Sequence, residues 1–268
     1  RKAAKPMVMT SAATLTVAGE MARRWIVSST LKNLHPGANF GYFGSFRAFF
    51  LSFLVIPVVF GNFGEFGLIG ATPELLIRRS GDAVLSRVLA GTIRRDETAT
   101  DSELAITLLK SGKDLEEHEY AVRSVAEALE PFCTSTNVPE SPFVLHLANV
   151  MHLATDVTGA LIESKKSVDA FTILEKLHPS AAVCGTPTNI ASKLIKDIEG
   201  MSRGRYAGPV GWLDARGDGE LGIALRCGQI TENEMRIFAG CGIVAGSSPE
   251  KELSESNAKF APMRSALA

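Results

Sequence analysis

From Gly67 onward the chain breaks into short apolar, β-branched runs at residues 68–71, 75–79 and 83–89, separated only by Thr72-Pro73 and Gly81-Asp82. Links this short cannot hold the crossover helix that parallel neighbours need, so the runs predict an antiparallel meander. A second pair, 209–215 and 220–227, is joined by Arg216-Gly217-Asp218-Gly219, whose Asp-Gly step is a strong hairpin signal. The Arg-Gly-Asp triplet there needs no adhesion role, because a hairpin calls for the same residues.

Around these runs, helical spacing covers 101–110 and 114–129, each with an acidic first turn suited to the macrodipole. Residues 168–177 and 188–198 read as amphipathic helices, the first entered through Ser167 as cap. Two strands are expected in 143–161 around His152, another over 235–240, and a helix to the end of the chain. Toward the N-terminus, 7–17 reads as one strand and 22–34 as a helix, whereas the Phe- and Gly-rich text between Pro36 and Phe66 shows no clean period. The order of elements implies an α+β fold with antiparallel sheets, not a βαβ repeat.

With 28 Lys+Arg against 29 Asp+Glu, the net charge of −1 gives no general reason to expect nucleic acid or an anionic membrane as partner. A small molecule is the better expectation. Four cysteines without a CxxC pair argue for reduced thiols in a cytoplasmic protein, not a zinc site or a disulfide frame. The most apolar run, 49–60, is shorter than the roughly 20 residues of a spanning helix and is broken by Pro57.

Several groups could carry chemistry. Asp114 and Glu117 stand at i, i+3 on one helix, as do Glu252 and Glu255 on another, with Lys259 on the same face as Glu255. These are either ordinary solvated faces or, if they meet, a cluster of carboxylates that would hold a hard cation such as Mg²⁺. Gly240-Cys241-Gly242-Ile243-Val244-Ala245-Gly246 has GxGxxxG spacing and no βαβ context. It is either plain strand-turn packing or backbone laid against a carboxylate. Arg226, in apolar company, needs an anionic partner. Tyr206, Glu74 and His152 stand in similar surroundings, and Glu74 would act as an acid if desolvated.

Taken together and in order, these motifs resemble the chorismate-utilising enzymes, and within them the isochorismate synthases of siderophore and menaquinone biosynthesis. The matching text is Gly70 to Leu76, Leu89 to Thr92, Lys113 to Glu119, His152 to Thr155, Pro179 to Pro187, Tyr206 to Trp212, Leu225 to Cys227 and Ala239 to Lys259. The resemblance implies a single chorismate-binding catalytic domain over 1–268, with two subdomains of large antiparallel sheets flanked by helices around a central cleft. It implies isomerisation of chorismate to isochorismate with Mg²⁺ as cofactor, and a monomer is the expected state.

It further implies Glu74 as general acid, Glu117 and Glu255 as Mg²⁺ ligands, and Asp114 and Glu252 behind them. Gly242, Gly246 and Lys259 would meet the ring carboxylate. Tyr206 and Arg226 would meet the enolpyruvyl carboxylate, and Gly91, Thr92 and His152 would line the ring. The well-matched core is 67–268, while 1–66 diverges. There Lys5 is the counterpart of the family's basic lysine, one residue out of register with the usual Lys-Val-Val-Leu-Ala-Arg. A salicylate synthase, or a silent chorismate-binding protein, is the alternative.

Overall fold

A computed structural model describes residues 7–11, 15–18, 58–62, 67–95, 99–231 and 234–267. Their strands form three antiparallel sheets. The largest runs β11 (Pro209–Leu213), β12 (Gly219–Ile223), β5 (Leu75–Ser80), β6 (Ala83–Arg94), β9 (Val150–Leu161) and β7 (Cys133–Asn137), with β8 (Phe143–His146) also on β9. The second runs β2 (Leu15–Ala18), β14 (Glu234–Phe238), β13 (Cys227–Ile230), β4 (Gly67–Ala71) and β3 (Val58–Asn62). The third is β10 (Gly185–Thr186), β1 (Met7–Ser11) and β15 (Gly240–Ile243). The helices are α1 (Asp101–Leu109), α2 (Gly112–Leu129), α3 (Ala170–Leu177), α4 (Thr188–Ile198) and α5 (Pro249–Leu267).

The expected meander is half right. Gly81-Asp82 does reverse the chain, pairing β5 with β6. Thr72-Pro73 does not: β4 lies in the second sheet and β5 in the first, so the chain bends there and passes between sheets. The run expected over 220–227 divides in the same way, β12 remaining in the first sheet while β13 enters the second. The two strands cross together, since Ala71 N donates to Arg226 O (3.4 Å) and Ile223 N to Glu74 O (3.3 Å). The break takes its shape from Arg226, whose φ of 46° lies in the left-handed region that ends a strand. The single strand expected over 7–17 is likewise two, β1 and β2, each in its own sheet.

β6 runs on to Arg94 through a bulge between Ala90 and Thr92, where Gly91 has φ 77°. β7 was not expected, because Cys133-Thr134-Ser135-Thr136-Asn137 is polar and carries no apolar alternation. α3 is capped by Asp169, not Ser167: the Asp169 carboxylate accepts from Thr172 N at 2.8 Å. The helix expected over 22–34 and Lys5 lie outside the described residues.

The amphipathic helices cover the sheets. α2 and α3 lay Ala121, Val125, Leu129, Ile173 and Leu177 on Leu76, Ile77, Val88, Val157 and Ile223 of the first sheet. Phe260 and Met263 of α5 pack with Ile69, Met235 and Ile237 of the second. Each fully buried side chain of this size contributes roughly 1.5–3 kcal/mol. What the two layers position is the ground between them: the crossing at Glu74 and Arg226, the bulge at Gly91, and the N-terminal halves of α2 and α5.

Candidate active site

Glu74 is 5% exposed at the crossing. Burial pushes its carboxyl up to about 8, against the opposing pull of the Arg226 and Lys259 cations. At neutral pH it therefore keeps its proton. Arg226, also buried, donates from Nη2 to His152 Nε2 at 3.1 Å, and His152 Nδ1 lies 3.1 Å from Thr92 Oγ1 and 3.4 Å from Gly91 O. Burial, then Arg226 and Lys259, hold the His152 imidazole well below its ordinary range, so it is neutral. Tyr206 stacks on Phe238 with ring centroids 5.2 Å apart and stands within the field of Arg226.

The carboxylates converge from two helices. Ser111 caps α2, accepting from Asp114 N, and Asp114 Oδ1 reaches Thr92 N at 3.4 Å. Glu117 is 7% exposed. Burial, then Glu255, raise its carboxyl to about 7, with Lys113 and Lys259 opposing. Glu255 is part-buried; desolvation opposes its charge, but the Lys259 ammonium, 2.6 Å away, with Lys113 and Thr92, holds it below the usual range. Lys259 also donates to Gly240 O at 3.1 Å.

Two glycines let these parts meet. A Cβ on Gly91 would stand 3.0 Å from Asp114 Cβ, and one on Gly242 would stand 2.1 Å from Glu117 Oε1. Gly242 is therefore small for want of room, not for a left-handed turn, and it lies within β15, not in a loop. Only the stretch after Ile243 is a turn, closed by Ser247 N donating to Val244 O at 3.0 Å. Gly246 sits exposed in that turn beside the Lys113 side chain.

Every expected site residue that the structure describes thus falls in one neighbourhood; Lys5 lies outside the described residues. A residue not singled out beforehand stands among them. Lys113 Nζ is 2.9 Å from Glu252 Oε1, 3.7 Å from Glu117 Oε2 and 3.9 Å from Asp114 Oδ1. Its i, i+4 spacing to Glu117 was the available signal. His118 is a second: its Nδ1 lies 3.2 Å from Ala90 O and its Nε2 2.7 Å from Thr155 Oγ1, tying α2 to the first sheet.

Among the described residues no three carboxylates, imidazoles or thiols share one point, since lysines stand between the acids. The donor set still suits a hard cation. Glu252 Oε2 is buried with no hydrogen-bond partner, and Gly242 leaves the Glu117 carboxylate room that any side chain would fill. A groove of about 590 Å³ on the outer face of α5, lined by Arg94, Asn149, Asn257 and Arg264 among others, contains none of these groups. The site is marked by its buried charges instead.

This arrangement, a protonated acid among cations beside a carboxylate cluster, has relatives. A family profile described as "Chorismate binding enzyme" matches residues 59–268. The chain is 45% identical to isochorismate synthase DhbC of Bacillus subtilis over 201 residues, 75% of this chain and 50% of that protein. It is 38% identical to isochorismate synthase EntC of Escherichia coli over 197 residues, 73% of this chain and 50% of that one. It spans about half the length of these relatives.

Among solved structures, MenF, the menaquinone-specific isochorismate synthase from Escherichia coli, superposes with a TM-score of 0.72 at 26% identity, covering 98% of this chain and 64% of that one. Anthranilate synthase component I from Streptococcus pneumoniae gives 0.75 at 26% identity, covering 98% and 53%. The matched residues take in both sheet layers, the crossing and the two acidic helices, and on that ground the chain belongs to the family of chorismate-binding enzymes.

Proposed function

We propose that the protein, one chorismate-binding catalytic domain, isomerises chorismate to isochorismate. Water adds at C2 of the ring and the C4 hydroxyl leaves as water, so the net composition is unchanged. The observation that carries this is Glu74, a buried carboxyl that keeps its proton to about pH 8 between Arg226 and Lys259. Hydroxide is a poor leaving group and needs such an acid.

Arg226 and Tyr206 hold the enolpyruvyl carboxylate. Lys259 and the backbone from Gly242 to Gly246 meet the ring carboxylate. Gly91, Thr92 and His152 line the ring. The proton lost by the attacking water is assigned to Lys5, which lies outside the described residues. Glu117 and Glu255 would hold Mg²⁺, with Asp114 and Glu252 behind them, and Lys113 would give up Glu252 to it. When bound, Mg²⁺ supplies positive charge for the ring carboxylate. The four cysteines are free thiols, as in a protein kept in a reducing compartment, and no described helix is long and apolar enough to cross a membrane.

The test is incubation with chorismate and Mg²⁺, with the products resolved by chromatography. Isochorismate is expected. Salicylate with pyruvate would make the protein a salicylate synthase, and untouched chorismate with thermal stabilisation would make it a silent binder. Glu74→Gln, which keeps shape and loses the proton, should lower kcat by about 10²–10⁴ and leave chorismate binding in place. In the wild type, kcat/KM should fall as pH rises past about 8, because the acid form is then lost.

A further inference from the structure

The hydrogen bonds from Arg226 through His152 run in one direction. A guanidinium only donates, so the 3.1 Å contact of Arg226 Nη2 leaves His152 Nε2 as acceptor, without a proton. At the other ring nitrogen a carbonyl only accepts, so the Gly91 oxygen at 3.4 Å requires Nδ1 to donate. The two constraints are independent and they agree. Thr92 Oγ1, 3.1 Å from Nδ1, shares that proton and is left with its own to offer to a nearby carboxylate, Glu255. Lys259 closes the far end on Glu255. His152 and Arg226 are 4% and 5% exposed, so water has little chance to break the order.

We infer that Arg226 fixes His152 as the neutral Nδ1–H tautomer, and that His152 and Thr92 pass this polarity to Glu255, joining the grip on one substrate carboxylate to the cation end. Reversing the chain would require Arg226 to give up a proton, which guanidinium does not do in proteins. His152 and Thr92 are then positioning residues. The His152 Nε2 lone pair is committed to Arg226 and is not free to take a proton from substrate. The Thr92 hydroxyl sets which way the Glu255 carboxylate turns, as an outer hydrogen bond turns a metal-ligating carboxylate.

The tautomer stands on hydrogen-bond geometry alone, and the role given to Thr92 rests on the proposed Mg²⁺ site. Two measurements on the full chain separate them. In ¹⁵N-histidine-labelled protein without substrate, two-bond ¹H–¹⁵N correlations should show a pyrrole-type Nδ1 and a pyridine-type Nε2 for His152, assigned by its loss in His152→Gln. The opposite tautomer, or an imidazolium at pH 7, would overturn the inference.

Mg²⁺ affinity, read from thermal stabilisation by Mg²⁺ alone, should be about tenfold or more weaker in Thr92→Val and unchanged in Thr92→Ser. Equal affinities in the wild type and Thr92→Val would overturn the Thr92 role. If the wild type binds no Mg²⁺, the functional reading and the Thr92 role fail together. The tautomer is still decided by the spectrum.

Discussion

Gly242 looks, in the text of the chain, like one of several glycines in a turn laid against a carboxylate. In the molecule it is a strand residue pressed against a carboxylate. Its absent side chain is what lets Glu117 lie along β15, so Gly242→Ala is expected to displace Glu117 rather than to disturb the backbone. An inserted methyl group in so tight a place costs about 1–3 kcal/mol. The melting temperature should fall modestly, while the stabilisation added by Mg²⁺ should largely disappear. A variant that melts early yet responds to Mg²⁺ like the wild type would show that Glu117 is not a ligand.

Lys113 teaches a related lesson at the same scale. Its i, i+4 partner Glu117 could be read in the sequence, but its closest contact, Glu252, is distant along the chain. Burial opposes its charge, yet Glu252, Glu117 and Glu255 keep the ammonium protonated. The local pattern announces Glu117 and not Glu252, because the latter comes from another helix.

Among the elements, helices were the most legible, since their 3.6-residue period and capping signals are local. The start of α3 shows where even that fails. Ser167 and Asp169 are both good caps two residues apart, and the choice falls to Asp169, where Ala170 N also donates to Gly217 O at 3.1 Å and seats the first turn on the hairpin loop. Asp169→Ala should cost about 0.5–2 kcal/mol in urea unfolding, against a change within about 0.5 kcal/mol for exposed Ser167→Ala. Comparable losses at both would mean the helix begins earlier.

Strands were legible as segments, and as pairs only where a short hairpin joins them, as at Gly81-Asp82 and Arg216 to Gly219. Thr72-Pro73 has the composition of a turn, and a bend between sheets needs the same composition. Only the partner strand, which breaks at the same level through Arg226, distinguishes them. β7 escaped for the opposite reason, being held by its neighbour and not by any pattern of its own.

At the level of the whole molecule, the residues that mark the site also burden the fold. Glu74 has an ordinary value of 4.5 when exposed and about 8 when folded. A raised value means that its contribution to stability is full below about pH 4.5 and is lost as pH rises through about 8. Glu117, raised to about 7, acts in the same sense. Without Mg²⁺, wild-type stability relative to Glu74→Gln should therefore decline between pH 5 and pH 8. The change is on the order of 3–5 kcal/mol. Urea unfolding of both proteins at the two pH values checks this, and parallel curves would show that Glu74 is not desolvated.

Fold class and family were readable because many short motifs agree in order, each tied to a local backbone need. The joint crossing of two strands between sheets was not readable, and it has a further consequence. A strand that serves two sheets has its alternation counted from both ends. One residue added to Thr72-Pro73-Glu74, or to Ala224-Leu225-Arg226, would turn every side chain on one side of the break to the wrong face. The loop of Asp214 to Asp218 serves one sheet and can change length without that penalty. At the two crossings, then, the number of residues is constrained as tightly as their identity, and changes in length reach the site and the core together.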